Sequence, residues 1–153
     1  MLEPLTADDI AEVMRIERLP GYEGFVGQWT AEEHEAERIS PDARYLGLRT
    51  GDGLAGFVIF QKVREPAVRL RRIAVGETDR GTGTAILRAA LDWAFDALPA
   101  EAVTLGVALG NDRARHIYFR EGFVDDGADD VHFNMVLTRA RWEETRPGPR
   151  PKS

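Results

Sequence analysis

Val75-Gly-Glu-Thr-Asp-Arg-Gly-Thr-Gly-Thr-Ala-Ile-Leu-Arg-Ala-Ala-Leu-Asp-Trp-Ala-Phe95 reads as the end of a strand, a glycine-rich turn and a long helix. Upstream, apolar residues alternate at Val68 and Leu70 and resume one position out of phase at Ile73 and Val75. A period-two pattern that slips by one residue is the mark of a β-bulge. Downstream of Gly83 the pattern changes to Ile86, Ala89, Ala90, Trp93 and Ala97, the stripe of a helix packing one face on a sheet. Gly81 and Gly83 therefore stand where a helix begins. Such an end offers unpaired N–H groups and the positive end of the peptide dipoles, which suits a phosphate; the same glycines also serve as a plain tight connection. Two nucleotide motifs are excluded by inspection. Gly76 and Gly81 are followed by Thr82 and Gly83, not by the Lys of a Walker loop, and the third glycine of a dinucleotide fingerprint would fall on Ile86.

Arg80-Gly81-Thr82-Gly83-Thr84-Ala85 resembles the acyl-coenzyme A loop of the GNAT N-acetyltransferase superfamily: Gln or Arg, two residues, Gly, one residue, then Gly or Ala. A second landmark of that family is an Asn at the end of the following strand with a Tyr seven residues later. Asn111-Asp-Arg-Ala-Arg-His-Ile-Tyr118 matches it and is closed by Phe119-Arg-Glu-Gly-Phe123. The order of elements from about Leu2 to Leu137 follows the family. The resemblance implies an α/β (α+β) fold: a mixed, mostly antiparallel central sheet with a bulged strand, flanked by about four helices. It places a single acetyltransferase domain at 1–140 and a tail at 141–153 whose end is disordered.

The resemblance also implies a site. Main-chain groups of Ile73, Ala74 and Val75 would hold the pantetheine arm of acetyl-CoA, the cosubstrate, and backbone amides of Arg80, Gly81, Thr82, Gly83, Thr84 and Ala85 its pyrophosphate. Asn111 would bond the cofactor's amide region, or simply cap its helix. Tyr118 matches the family's general acid. A tyrosine titrates near pH 10, so it is protonated at neutral pH and can donate to a departing thiolate; a core tyrosine on an amphipathic helix is the other reading. Many relatives carry a Glu on the bulged strand where this chain has Arg69. Water, Glu33 or Glu35 would then take the amine proton, or the acceptor differs, and no base is assigned.

The chain has 153 residues, no cysteine and a net charge of −6. That length buries a core without metals or disulfides, and the lack of cysteine removes thiol nucleophiles and Cys-based zinc sites. His34, His116 and His132 show no ligand spacing, so no metal is expected. The acidic balance argues against nucleic acid as a partner. No run approaches a membrane span and no leader pattern opens the chain, so no membrane association and a cytoplasmic protein are expected. Arginines gather at 64, 69, 71, 72, 80 and 88, whereas Asp125, Asp126, Asp129 and Asp130 crowd elsewhere. That separation suits a phosphate-bearing cofactor with a neutral-to-cationic acceptor. Turnover of acidic amino acids instead would assign Arg69 and Arg71 to the acceptor's carboxylate.

In order, a strand at Leu2–Leu5 precedes a helix capped by Thr6 with Asp9 in its first turn, and Ile10, Val13 and Met14 give its buried stripe. Pro20 to Trp29 form an irregular aromatic loop; by resemblance it lines the acceptor site, and core filling by Phe25 and Trp29 is the alternative. Thr30-Ala-Glu-Glu33 is a capping box for a polar helix ending at Ser40-Pro41. Strands follow at Tyr45–Leu48 and Leu54–Val63 around Thr50-Gly-Asp-Gly53, then the bulged strand at Ala67–Val75, another at Val103–Leu109, and a hairpin of Phe123–Asp125 with Val131–Leu137. Gly122 caps the helix before that hairpin. Arg146 to Ser153 has nothing apolar to bury. The favoured function is acetyl transfer from acetyl-CoA to a primary amine of a small molecule or peptide, by direct attack on the thioester. A homodimer is compatible with this, and a non-catalytic acyl-CoA binding module is the alternative.

Overall fold

The computed structural model describes residues 2–19, 29–51, 53–76 and 82–145. Seven strands form one sheet in the order β1-β2-β3-β4-β5-β7-β6: β1 (Leu2–Pro4), β2 (Arg44–Thr50), β3 (Gly53–Gln61), β4 (Ala67–Val75), β5 (Ala102–Ala108), β6 (Val124–Ala128) and β7 (His132–Thr138). Every neighbouring pair is antiparallel except β4 with β5. That parallel pair requires a crossover, which α3 (Thr82–Ala97) supplies. The other described helices are α1 (Ile10–Glu17), α2 (Ala31–Arg38), α4 (Asp112–Arg120) and α5 (Arg139–Thr145), with a 3₁₀ turn at Ala7–Asp9.

The slip in the apolar pattern of β4 is a bulge. Ile59 pairs with Arg72 and the next residue, Phe60, pairs with Leu70, leaving Arg71 as the extra residue. Before it, Val68 and Leu70 join the larger core with Leu87, Leu91 and Phe95 of α3; after it, Ile73 packs on that core while Ala74 turns to the smaller one, with Val13 and Ile16 of α1. One inserted residue thus exchanges the faces of the strand.

Both capping boxes form. Asp9 reaches back to the Thr6 N–H at 2.8 Å, and Glu33 accepts from the Thr30 N–H at 2.8 Å while the Thr30 hydroxyl accepts from Glu33 N–H at 3.1 Å. The buried face of α3 is Ile86, Leu87, Ala90, Leu91, Ala94 and Phe95. This rotates the stripe read from sequence, which had Ala89, Trp93 and Ala97 inward; Ala97 is exposed and Trp93 half-buried, stacked on Phe60 with centroids 5.3 Å apart. The larger side chains Leu87, Leu91 and Phe95 decide the rotation, because burying each contributes about 1.5–3 kcal/mol, more than an alanine can.

A fifth helix joins the about four expected and occupies the start of the expected tail. Trp142 is 2% exposed, stacked on Phe95 with centroids 4.8 Å apart. Arg139 anchors the helix by donating to the carbonyls of Ala100 (2.8 Å) and Leu98 (3.2 Å). One aromatic partner too far away in sequence to be read as such holds this segment to the core. The expectation for 146–153 lies outside the described residues.

Candidate active site

β4 and β5 pair only at Ala67–Ala102, Val68–Val103 and Arg69–Thr104, although β4 continues to Val75 and β5 to Ala108. Beyond Arg69 the two strands splay, directly at the bulge. Between Leu70 and Ala74 the β5-side edge of β4 has no paired strand, and such an edge can bond an extended amide chain. Ile73 and Ala74, assigned to the cofactor by resemblance, lie on this stretch, and Val75, assigned with them, follows it. The helix α3 begins at Thr82, so the N–H groups of Thr82, Gly83 and Thr84 have no intrahelical acceptor, and Ala85 completes the first turn. Among the described residues, a Cβ added at Gly83 would meet only Val75 Cγ1, at 3.9 Å. Arg80 and Gly81 lie outside the described residues, as do Tyr22 and Phe25.

Leaving β5, the chain turns at Gly110 into α4. Asn111 caps this helix, its Oδ1 accepting from the Ala114 N–H at 3.3 Å. Tyr118 is half-buried and packs on the larger core that also holds Leu70, Leu105 and Val107, with Ile73 beside it. Its helix ends in a Schellman motif. Phe123 N–H donates to Tyr118 C=O at 3.0 Å, Gly122 N–H to Phe119 C=O at 3.0 Å, and the rings of Tyr118 and Phe123 meet edge-on with centroids 5.6 Å apart. Gly122 has φ 107°, and a Cβ there would lie 3.2 Å from both Leu137 Cδ1 and Thr145 Oγ1. The residue fixes where Tyr118 sits.

Neither carboxylate considered as a base is unengaged. Glu33 accepts from its capping partner Thr30, and Glu35 pairs with Arg38 at 2.6 Å. The hydrogen bonds from Arg38 hold the Glu35 carboxyl below its ordinary value, away from the near-neutral value a general base needs. A groove of about 360 Å³ on α2 is lined by Trp29, Glu33, Ala36 and Glu37. It is separate from the β4–β5 opening, since neither strand lines it.

A buried polar network, unforeseen in the sequence reading, ties α1, α2 and β4 together. His34 is 0% exposed and lies 2.6 Å from the Tyr45 hydroxyl through Nδ1 and 2.9 Å from Glu17 Oε1 through Nε2. Arg72 Nη1 donates to Glu17 Oε2 at 3.3 Å, and its guanidinium lies 4.0 Å from the Trp29 ring centroid. Burial pushes the Tyr45 hydroxyl far above the ordinary tyrosine value, so this residue stays protonated at any physiological pH. The signal was present: Glu17 continues the Ile10, Val13 stripe of α1, and an acid at a stripe position needs a buried partner.

Among the described residues no cluster of three or more His, Asp or Glu is arranged to hold a metal, and no helix is long and apolar enough to cross a membrane. Residues 10–123 match the Acetyltransferase (GNAT) family. Among solved structures, a spermidine N-acetyltransferase from Vibrio cholerae in complex with CoA and spermine superposes with TM-score 0.76 at 18% identity, over 93% of this chain and 96% of that one. A chimera of that Vibrio cholerae enzyme gives TM-score 0.76 at 18% identity over 94% and 99%. A spermidine/spermine N-acetyltransferase from the same organism in complex with manganese ions gives 0.75 at 16% over 94% and 95%. No curated protein matches the chain.

Proposed function

Because the chain belongs to the Acetyltransferase (GNAT) family, we propose that it moves the acetyl group of acetyl-CoA to a primary amine of a small molecule or peptide in one direct step. The observation that carries this reading is the opening between β4 and β5, which begins at the bulge and runs toward the first turn of α3. In this reading an extended pantetheine arm runs along the edge of β4 that parts from β5, at Ile73 and Ala74 and on to Val75, with its pyrophosphate at the N–H groups of Thr82 to Ala85 and the preceding Arg80 and Gly81. Asn111 caps α4 and, in this reading, also bonds the cofactor's amide region.

In this reading the amine nitrogen attacks the thioester carbonyl, the C–S bond breaks, and the electron pair leaves on sulfur. Tyr118 donates its phenolic proton to that thiolate. Its packing against Phe123 and the Schellman end of α4 hold the hydroxyl in one place, and positioning of this kind supplies much of an enzyme's rate. The surplus amine proton leaves to water, since Arg69 replaces the acid many relatives use and Glu33 and Glu35 are engaged. That a spermidine N-acetyltransferase with CoA and spermine bound shares the fold supports an amine acceptor.

The test is coenzyme A release by the purified chain given acetyl-CoA and a panel of primary amines, alongside melting curves with acetyl-CoA and with ATP. A ligand bound only by the native state raises the melting temperature by mass action. Stabilisation by acetyl-CoA but not ATP, with amine-dependent release, is the expected result. Arg69 favours one second reading, a non-catalytic acyl-CoA binding module, which would show the thermal shift with no release for any amine.

A further inference from the structure

Arg69, Arg71 and Arg72 are three cations within four residues, and the bulge determines where each one points. Arg69 and Arg72 pair across β3 with Gln61 and Ile59, and so stand on the sheet face that α1 and α2 cover. Arg72 is accounted for: it is 6% exposed, paired to Glu17 and stacked on Trp29. Arg71, the extra residue of the bulge, is exposed and lies 5.4 Å from the same Trp29 ring. Among the described residues neither Arg69 nor Arg71 has a carboxylate within ion-pair distance. Asp129 acts on Arg69 only at longer range, its Oδ1 being engaged by the N–H groups of Val131 (2.8 Å) and His132 (2.7 Å).

Arg69 is moreover half-buried and repelled by Arg71. It lies across β5, where a Cβ at Gly106 would stand 3.0 Å from its Nη2, so the absence of a side chain at 106 makes the room the guanidinium occupies. On this face β5 and β7 offer Thr104, Gly106, Asn134 and His132, with Val103, Leu105 and Met135 turned to the opposite core. α1 packs on β3 and β4, and no described helix packs substantially on this face of β5 and β7. The strip of this face beside the β4–β5 opening, free of any described helix, with Arg69 lying across it and Arg71 near enough to repel Arg69, forms the trough. A partly desolvated guanidinium that feels a carboxylate, Asp129, only at longer range is costly, and guanidinium forks match the oxygens of a planar carboxylate. The cofactor's phosphates do not reach this place: Arg69 is six residues before Val75, roughly 20 Å along a strand, and the first turn of α3 is farther on.

Resting on the acetyl-transfer reading above, we propose that the acceptor amine also carries a carboxylate, which Arg69 and Arg71 hold at the mouth of the β4–β5 opening. The acceptor class is then an amino acid or a similar small amino carboxylate, unlike the polyamine bound in the Vibrio cholerae structure. The replacement of the family's acid by Arg69 acquires a purpose, because an acid there would repel such a substrate.

The experiment uses matched probes that differ by one carboxylate: L-lysine against cadaverine, L-ornithine against putrescine and L-phenylalanine against phenethylamine, with spermidine added. Coenzyme A release should favour the amino acids in kcat/KM by roughly 10–100-fold, the range of a charge-assisted hydrogen bond. Arg69→Gln and Arg71→Gln should each shrink that preference mainly through KM, and Arg69→Lys should retain part of it. Preference for cadaverine, putrescine or spermidine overturns the carboxylate proposal and leaves acetyl transfer standing. So does a preference for amino acids that survives both Gln variants. The same probes read by melting temperature with coenzyme A bound test the trough without turnover. Shifts from amino acids alone, lost in Arg69→Gln, support it, and shifts from none of them overturn it. Absence of any release together with such shifts would sink the catalytic reading and keep the anion site.

Discussion

Replacing Glu17 by Gln removes the single negative charge on which the buried layer between α1, α2 and β4 depends. One carboxylate serves two partners there, His34 Nε2 at 2.9 Å and Arg72 Nη1 at 3.3 Å, with side chains 0% exposed at Glu17 and His34 and 4% at Arg72. Gln keeps the shape and one acceptor, but turns an amide donor toward one partner and leaves Arg72 without its counter-charge. Breaking a buried pair from one side costs about 3–5 kcal/mol because the remaining charge cannot be solvated. Stacking of Arg72 on Trp29 at 4.0 Å retains some of the attraction, about 0.5–2 kcal/mol, so the lower end, about 3 kcal/mol, is expected. Against a total stability of about 5–15 kcal/mol, the variant stays folded at room temperature. Its melting temperature falls by about 6–12 °C at this chain length. Equilibrium urea unfolding followed by tryptophan fluorescence and far-ultraviolet circular dichroism gives the free energy directly, with an unchanged slope showing that only stability moved. A cycle with Arg72→Met should return a coupling of about 0.5–3 kcal/mol. A loss under about 1 kcal/mol, or no coupling, would mean that the layer is solvated and does not hold Arg72 against Trp29.

Tyr118→Phe keeps the ring against Phe123, so melting temperature and acetyl-CoA affinity should hold while kcat falls about 10²-fold, the lower end for a positioned acid since a thiolate already leaves readily; normal turnover with a lowered melting temperature would make the hydroxyl structural. Gly83→Val should fold, because among the described residues the nearest atom to a new Cβ is Val75 Cγ1 at 3.9 Å, yet lose the melting shift given by acetyl-CoA; an intact shift would put the phosphates elsewhere. Hydrogen bonds from Arg49 (2.6 Å) hold the Asp9 carboxyl below its ordinary 3.8, so its stabilisation is complete above that value and is lost as pH falls through the lower folded one. Arg49→Gln should therefore be less stable than the parent near neutrality, and the two stability curves should converge below about pH 3.8; parallel curves down to pH 2 would contradict this.

Local pattern was enough wherever the deciding contacts were close in sequence. The alternation of β5, the capping boxes at Thr6 and Thr30, the Asn111 cap and the Gly122 stop each involve residues within about five positions, and each is found as read. Even the bulge was legible, since a change of strand face must appear as a slip in apolar phase. The landmarks of Arg80 to Ala85 and of Asn111 with Tyr118 were likewise contiguous, and they pointed to the family that the match at residues 10–123 bears out. What escaped depended on distant partners. The rotation of α3 was decided by which side chains the sheet had room to bury, and α5 by Phe95 meeting Trp142. Glu17, His34, Tyr45 and Arg72 look unremarkable apart, because the meaning of a polar side chain inside a protein is its partner, and these partners lie 11 to 55 residues away. The same holds for Arg69 and Arg71. Sequence placed them two residues apart on a strand, but only the inserted residue of the bulge, the bare backbone at Gly106 and the early end of the β4–β5 ladder set a half-buried Arg69 and an exposed Arg71 beside the same opening.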